Sequence, residues 1–209
     1  MTDKKKVLLI GSGLAANLVK DFDIPDDWIV CVIHNAWRVV PERWDILFHA
    51  QDFSDEKKPT VVKPNQQLQE TYDYVVNQFA DDIRGGFARK HYGFGKTMFF
   101  SSFWWIMDNL KPDIIGFVGC DMDYPEHGNN TIYGKGSPDP LKYPLKRLLC
   151  WLGYLDGFCV RDNIMLINYS PYESPTLLPF SHGIFPEVKP IERAREHRCQ
   201  GEYWPEITV

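Results

Sequence analysis

The feature that most narrows the possible folds is the run Val7-Leu8-Leu9-Ile10, which closes directly on Gly11-Ser12-Gly13. Four consecutive apolar residues without polar alternation describe a short strand covered on both faces, as in a parallel sheet. The glycines permit a tight turn, and Leu14 to Lys20 beyond them carries the apolar face of a short helix. A strand, a glycine turn and a helix start make the opening of a β-α unit, where backbone N–H groups can approach a phosphate.

The same pattern recurs. Trp28 to Ile33 is a second apolar run, ending at His34-Asn35, and Asp45 to His49 is a third, ending at Gln51-Asp52. The stretch between these two contains Pro41 and is too short for a full crossover helix. Asp55 to Pro64 reads as a loop. Gln66 to Ile83 has helical spacing through Leu68, Tyr72, Val75, Val76 and Phe79, and Gly85-Gly86 would end that helix. Met98 to Leu110 reads as a buried aromatic helix, and Ile114 to Val118 as a buried strand ending at Gly119-Cys120-Asp121. Pro125 to Asp139 is a polar, glycine-rich loop of a length that is often functional. Ser137 then offers an N-cap before Pro138, with a helix running through Leu141, Leu145, Leu148, Leu149 and Leu152. Ile164 to Asn168 is a fifth strand.

Alternating strands and helices imply α/β architecture with a mostly parallel sheet. The expectation is a single Rossmann-like nucleotide-binding domain over residues 1–180, with an irregular C-terminal tail over 181–209 packed on it. The tail is proline-rich and weakly periodic. With 44% hydrophobic residues the chain can build a sizeable core, and a net charge of −5 gives no reason to expect nucleic acid as a partner. The five cysteines are widely spaced without a CxxC pair, which argues against a disulfide framework or a structural zinc site. Met1 to Lys6 is polar and unlike a signal peptide, and no run reaches the ~20 apolar residues of a membrane span. The expected location is cytoplasmic.

Ligands of open α/β sheets bind outside the carboxyl ends of the strands. Here those ends are Gly11-Ser12-Gly13, His34-Asn35, His49 to Gln51, Gly119 to Asp123 and Asn168-Tyr169-Ser170, all small or polar. Gly11 to Ala16 fits a relaxed G-x-G-x-x-A pattern, but His34-Asn35 stands where a dinucleotide site wants a carboxylate. Gly95-Lys96-Thr97 lacks the first glycine of a Walker A loop, Lys90 being in that place, although Lys96 and Thr97 can still meet a phosphate at a helix start. Asp121-Met122-Asp123 is a D-x-D after a strand, a pairing that suits Mg²⁺ or Mn²⁺. Asn35 can both donate and accept toward a base or ribose. His34, His49, His91 and His127 are candidate general bases, His127 foremost because it lies in the long loop with Tyr124, Tyr133 and Lys135.

This order of motifs resembles the bacterial sialyltransferase-like family, single-domain α/β enzymes that use CMP-activated sialic acid without a metal. The features that carry the resemblance are Gly11-Ser12-Gly13, Ile33-His34-Asn35, Leu47-Phe48-His49, the helix from Thr97 to Leu110, Gly119-Cys120-Asp121 and Tyr133. Ser12 stands for the family's turn asparagine, and its third-strand asparagine falls near Ala50 or Gln51. Gly134-Lys135-Gly136 follows Tyr133 where the family places its histidine. The glycine turn and G-x-D strand end are also similar to the archaeal pterin pyrophosphokinase-like family, which uses ATP and Mg²⁺.

The resemblance implies a glycosyltransferase-like enzyme with a nucleotide-sugar donor, CMP-linked in the named family, and an acceptor that the sequence does not specify. Gly11, Ser12, Gly13, Asn35, Gln51, Thr97, Gly119 and Asp121 would bind the nucleotide, and His127, Tyr133 and Lys135 would act in catalysis. One alternative is a Mg-dependent phosphoryl or pyrophosphoryl transferase with Asp121 and Asp123 on the metal. The other is a catalytically inactive, nucleotide- or protein-binding member of the same fold.

Overall fold

The computed structural model describes residues 4–71, 97–121, 129, 131–134, 145–170 and 181–188. Its strands are β1 (Lys6–Ile10), β2 (Trp28–Ile33), β3 (Ile46–His49), β4 (Gln67–Glu70), β5 (Ile114–Val118), β6 (Met165–Asn168) and β7 (Ser181–His182). They form one seven-stranded sheet in the order β4-β3-β2-β1-β5-β6-β7. All of its strand pairings are parallel. The chain steps outward from β1 to β4, returns to lay β5 on the other side of β1, and steps outward again to β7. This is a Rossmann-like α/β sheet, and its winding reverses between β1 and β5, the place where sheets of this kind have a crevice outside the carboxyl ends of the strands.

Each strand splits its side chains between two cores, which is why the strands read as unbroken apolar runs. Val7, Leu9, Cys31, Ile33, Ile46, Phe48, Ile115 and Phe117 face one core, filled by α1 (Met98–Trp105) and by Leu152, Leu155 and Cys159 of α2 (Leu145–Arg161). Leu8, Ile10, Val30, Val32, Leu47 and Val118 face the other, covered by 3₁₀ helices at Leu14–Asp21 and His34–Val39. Helical content between β1, β2 and β3 is thus confined to tight 3₁₀ turns, as the short connections require.

α1 shows packing overruling propensity. Its residues, Met-Phe-Phe-Ser-Ser-Phe-Trp-Trp, include Phe, Trp and Ser, each up to about 0.7 kcal/mol worse than Ala in a helix. Full burial of a Phe-sized side chain contributes about 1.5–3 kcal/mol, so Phe100 and Phe103 outweigh that deficit. The helix loosens into a π turn at Ile106–Leu110 and stops at left-handed Lys111. α2 is followed by Asn163, also left-handed, and the Ile164 amide returns to the Cys159 carbonyl at 2.8 Å.

Two sequence expectations change. Gln67–Glu70, assigned above to a helix starting at Gln66, is an edge strand on β3, with Ile46 opposite Gln67 and His49 opposite Glu70. The open backbone of β3 dictates this: the Gln67 amide donates to the Asp45 carbonyl and the Thr71 amide to the His49 carbonyl. Leu68 is consequently exposed instead of starting a helical stripe. The remainder of that helix, residues 72–83, lies outside the described residues, as does the expected start of α2 at Ser137 to Leu141. Ser181–His182, at the beginning of the proposed tail, adds β7, and Phe185 beyond it stacks on Phe22 at 4.6 Å and packs against Trp28.

Candidate functional site

Because the strands are parallel and in register, their carboxyl ends share one edge of the sheet. Ile10 lies opposite Val32 and Val118, Ile33 opposite Phe48, and Phe117 opposite Asn168. Gly11, His34, Ala50, Thr71, Gly119 and Tyr169 leave the strands on that edge.

At the crevice the turns after β1 and β5 are bonded to each other. The Gly11 amide donates to the Val118 carbonyl at 2.8 Å, and the Gly13 amide to the Gly119 carbonyl at 2.7 Å. A Cβ on Gly13 would collide with the Asp121 carboxylate and come within 2.7 Å of the Gly119 oxygen. Gly119 adopts φ +68°, and a Cβ there would meet Ala16 at 2.6 Å. These glycines therefore make room for the chain's own neighbouring turn. The Asp121 carboxylate in turn accepts the Ala15 amide at 3.0 Å, the position at the helical start where the sequence suggests a phosphate. Behind it, the Gly119 amide donates to Ser170 Oγ at 3.0 Å, and the Ser170 amide to Asn168 Oδ1 at 2.8 Å.

The long loop returns to this place. The Ile132 amide donates to the Ser12 carbonyl at 3.0 Å, and Thr131 Oγ1 closes a tight turn onto the Gly134 carbonyl at 2.7 Å. Tyr133 thus sits on a turn docked to the glycine turn, its side chain about half exposed (46%).

On the other flank, Asn35 is 6% exposed and its Oδ1 has no hydrogen-bond partner. Thr97 precedes α1 in extended conformation without capping it, and its buried Oγ1 has no partner either. Thr71 Oγ1 donates to Met98 Sδ at 3.7 Å, which fastens the start of α1 to the end of β4. A buried polar atom left unbonded costs about 1–3 kcal/mol, so Asn35 and Thr97 each call for a hydrogen-bond partner. Gln51 is exposed on the turn after β3.

Of the histidines proposed as bases, His34 and His49 are otherwise engaged. His34 Nε2 accepts the Ala50 amide at 3.2 Å, and burial holds its pKa down to about 4 despite the opposing pull of Asp52. His49 is buried, with Nδ1 on the Ala50 carbonyl at 3.0 Å. His91, Lys96, Asp123, Tyr124, His127 and Lys135 lie outside the described residues. Among the described residues no group of three or more His, Cys, Asp or Glu could hold a metal ion.

An open cavity of about 380 Å³ lies at the opposite, amino end of the sheet, lined by Asp26, Trp28, Arg43 and Asp45 among others. Two of its charges, Arg43 and Asp45, are already paired. Asp45 accepts the Val30 amide at 2.7 Å and pairs with Arg43, which also donates to the Trp28 carbonyl.

The sequence-derived residues therefore separate into three sets. Gly11, Ser12, Gly13, Gly119, Asp121 and the Tyr133 turn meet at the crevice between β1 and β5, whereas Asn35, Gln51 and Thr97 lie on the β2-to-β4 flank of the same edge. His127, Lys135 and Asp123 are not described. Sequence reasoning missed the Asp121–Ala15 bond and the Ser170–Gly119 bond, which join residues far apart in the chain and leave no local signal.

No helix among the described residues is long and apolar enough to cross a membrane. No protein-family model matches the sequence, and no curated protein matches it. Among solved structures, the chain is similar in fold to a point mutant of the α-2,3/8-sialyltransferase CstII, at 15% identity over 88% of each chain with a TM-score of 0.46. It is also similar to the sialyltransferase CST-II in complex with a trisaccharide acceptor and CMP, at 13% identity over 88% of this chain and 87% of that one, TM-score 0.45. A third similar structure is CstII from Campylobacter jejuni with cytidine-5'-monophosphate, at 14% identity over 88% of this chain and 86% of that one, TM-score 0.44.

Proposed function

We propose that the chain is a glycosyltransferase-like enzyme that takes a nucleotide-activated, CMP-linked sugar at the carboxyl edge of its sheet. The observation that carries this reading is that two of the four buried side-chain oxygens without a hydrogen bond among the described residues, Asn35 Oδ1 and Thr97 Oγ1, flank the edge where the strand ends converge. Asn35 and Gln51 hold the nucleoside, and Thr97 meets a polar group of the donor. The Gly11–Gly13 and Gly119–Asp121 turns form the wall at the crevice. The motif order shared with the sialyltransferase-like family favours cytidine as the base.

In the reaction, the bond between the sugar's anomeric carbon and the phosphate oxygen breaks, and a bond from that carbon to the acceptor oxygen forms. The phosphate leaves with the electron pair, so negative charge builds on it. Tyr133 and Lys135 are placed in the sequence to stabilise that charge, and His127 to take the acceptor's proton. Dinucleotide binding is disfavoured, because the Asp121 carboxylate already occupies the Ala15 amide and would repel a pyrophosphate there. The non-catalytic reading keeps the binding roles and drops the turnover.

A donor-hydrolysis screen over CMP-, UDP- and GDP-sugars separates these readings. The proposal expects release of CMP from a CMP-sugar in the presence of EDTA, abolished in His127→Ala. Release only with added Mg²⁺ would point to the phosphoryl-transfer chemistry, and tight binding without release to the non-catalytic member.

A further inference from the structure

We propose that His34 is a positioning residue: its imidazole clamps the turn after β3 against the end of β2 and so sets where Asn35 and Gln51 stand. The effect on ligand binding rests on the nucleotide reading above; the clamp itself does not.

The geometry begins with the backbone. His34 has φ +48°, in the left-handed region that a non-glycine residue enters only with strain. This turn ends β2 and starts the 3₁₀ helix His34–Val39, so the next residue, Asn35, is buried instead of continuing the strand. What repays the strain is the ring. It stacks on Phe53 with centroids 4.8 Å apart and planes 15° from parallel. Its Nε2 accepts the Ala50 amide. An amide can only donate, so Nε2 must keep its lone pair and Nδ1 must carry the ring hydrogen.

Ala50 is held at both of its backbone polar groups. His34 takes its N–H, while the His49 ring, itself 6.2 Å from Phe53, lies with Nδ1 on its carbonyl oxygen. Gln51 follows directly. The turn beyond is tied in as well, because Trp37 Nε1 of the 3₁₀ helix donates to the Lys57 carbonyl at 3.0 Å. The charged and titratable groups that act on His34 are His49 at the end of β3, Asp52 from the turn after it and Lys57 from the short 3₁₀ turn Asp55–Lys57. Asp52 favours protonation, while His49 and Lys57 oppose it. Protonating Nε2 would set N–H against N–H and open the clamp.

The test uses the full chain, ¹⁵N-labelled, with amide exchange at Ala50 and Gln51, imidazole ¹⁵N shifts of His34, and calorimetric titration with CMP. His34→Phe keeps an aromatic ring against Phe53 and removes the acceptor. His34→Asn keeps a residue that tolerates left-handed backbone but cannot reach Ala50. Both variants are expected to lose about tenfold or more in Ala50 protection and to weaken CMP by a similar factor. In the wild type, His34 Nε2 should stay unprotonated until about pH 4, and Ala50 protection should fall with that midpoint. Unchanged Ala50 protection in a folded His34→Phe overturns the proposal. If that variant fails to fold, the wild-type titration decides: a His34 that protonates near its ordinary pKa with no change at Ala50 overturns it equally. A wild type that shows the Ala50 clamp yet binds no CMP upholds the clamp and removes the nucleotide reading.

Discussion

The Asp121 carboxylate accepts the amide of Ala15 at 3.0 Å, tying the turn after β5 to the helical turn after β1. Its charge lies at the start of a helical segment, where the partial positive charge of the amides favours it. The glycine turn thus has its anion built in.

Removing that carboxylate should cost stability even without ligand. Asp121→Ala strips the Ala15 amide of its acceptor and is expected to lower stability by about 1–2 kcal/mol, while Asp121→Asn, which still offers an amide oxygen, loses less. Urea unfolding of the three proteins checks this. Equal midpoints would mean that the bond contributes nothing to the fold.

The close approach of the two turns gives a second prediction. Gly13→Ala sets a methyl against Asp121 and the Gly119 carbonyl, and overpacking of this kind costs about 1–3 kcal/mol. Gly119→Ala should be worse, since left-handed strain adds about 1 kcal/mol to its clash with Ala16. Thermal melts should therefore rank wild type above Gly13→Ala, and Gly13→Ala above Gly119→Ala.

His34 adds a pH dependence. Its folded pKa, about 4, lies below the ordinary 6.5, so between those values the unfolded chain binds a proton that the folded chain refuses. Stability from this group is present above about pH 6.5 and is lost as pH falls toward 4, on the order of 3 kcal/mol in all. Unfolding free energies measured across that window should show a slope that His34→Phe flattens. An identical slope in the variant would contradict the assignment.

Much of the sheet was legible because burial on both faces forces unbroken apolar runs. Trp28–Ile33 and Ile114–Val118 match their expected bounds, and the strands at Lys6–Ile10, Ile46–His49 and Met165–Asn168 differ by one residue at one end. β4 was not legible: Gln67-Leu68-Gln69-Glu70 carries no strand pattern, and it is a strand because β3 offers it an open edge. β7 is two residues long and has too little sequence to show a period. The candidate edge was visible because each apolar run stops at small or polar residues. The bonds that shape it were not, since Asp121 meets Ala15 only through the register of Ile10 with Val118. Nor does anything local to His34 announce a left-handed backbone that carries its ring to Ala50.

Calorimetric titration decides whether the carboxyl edge of this sheet takes a cytidine nucleotide through Asn35 and Thr97, as proposed. CMP, UDP and ATP would each be titrated in EDTA into the wild type, Asn35→Ala and Thr97→Val. CMP is expected to bind the wild type in EDTA more tightly than UDP or ATP, and Asn35→Ala to weaken it by about tenfold. Absence of binding by every nucleotide at millimolar concentration, or CMP binding untouched by both substitutions, would contradict it.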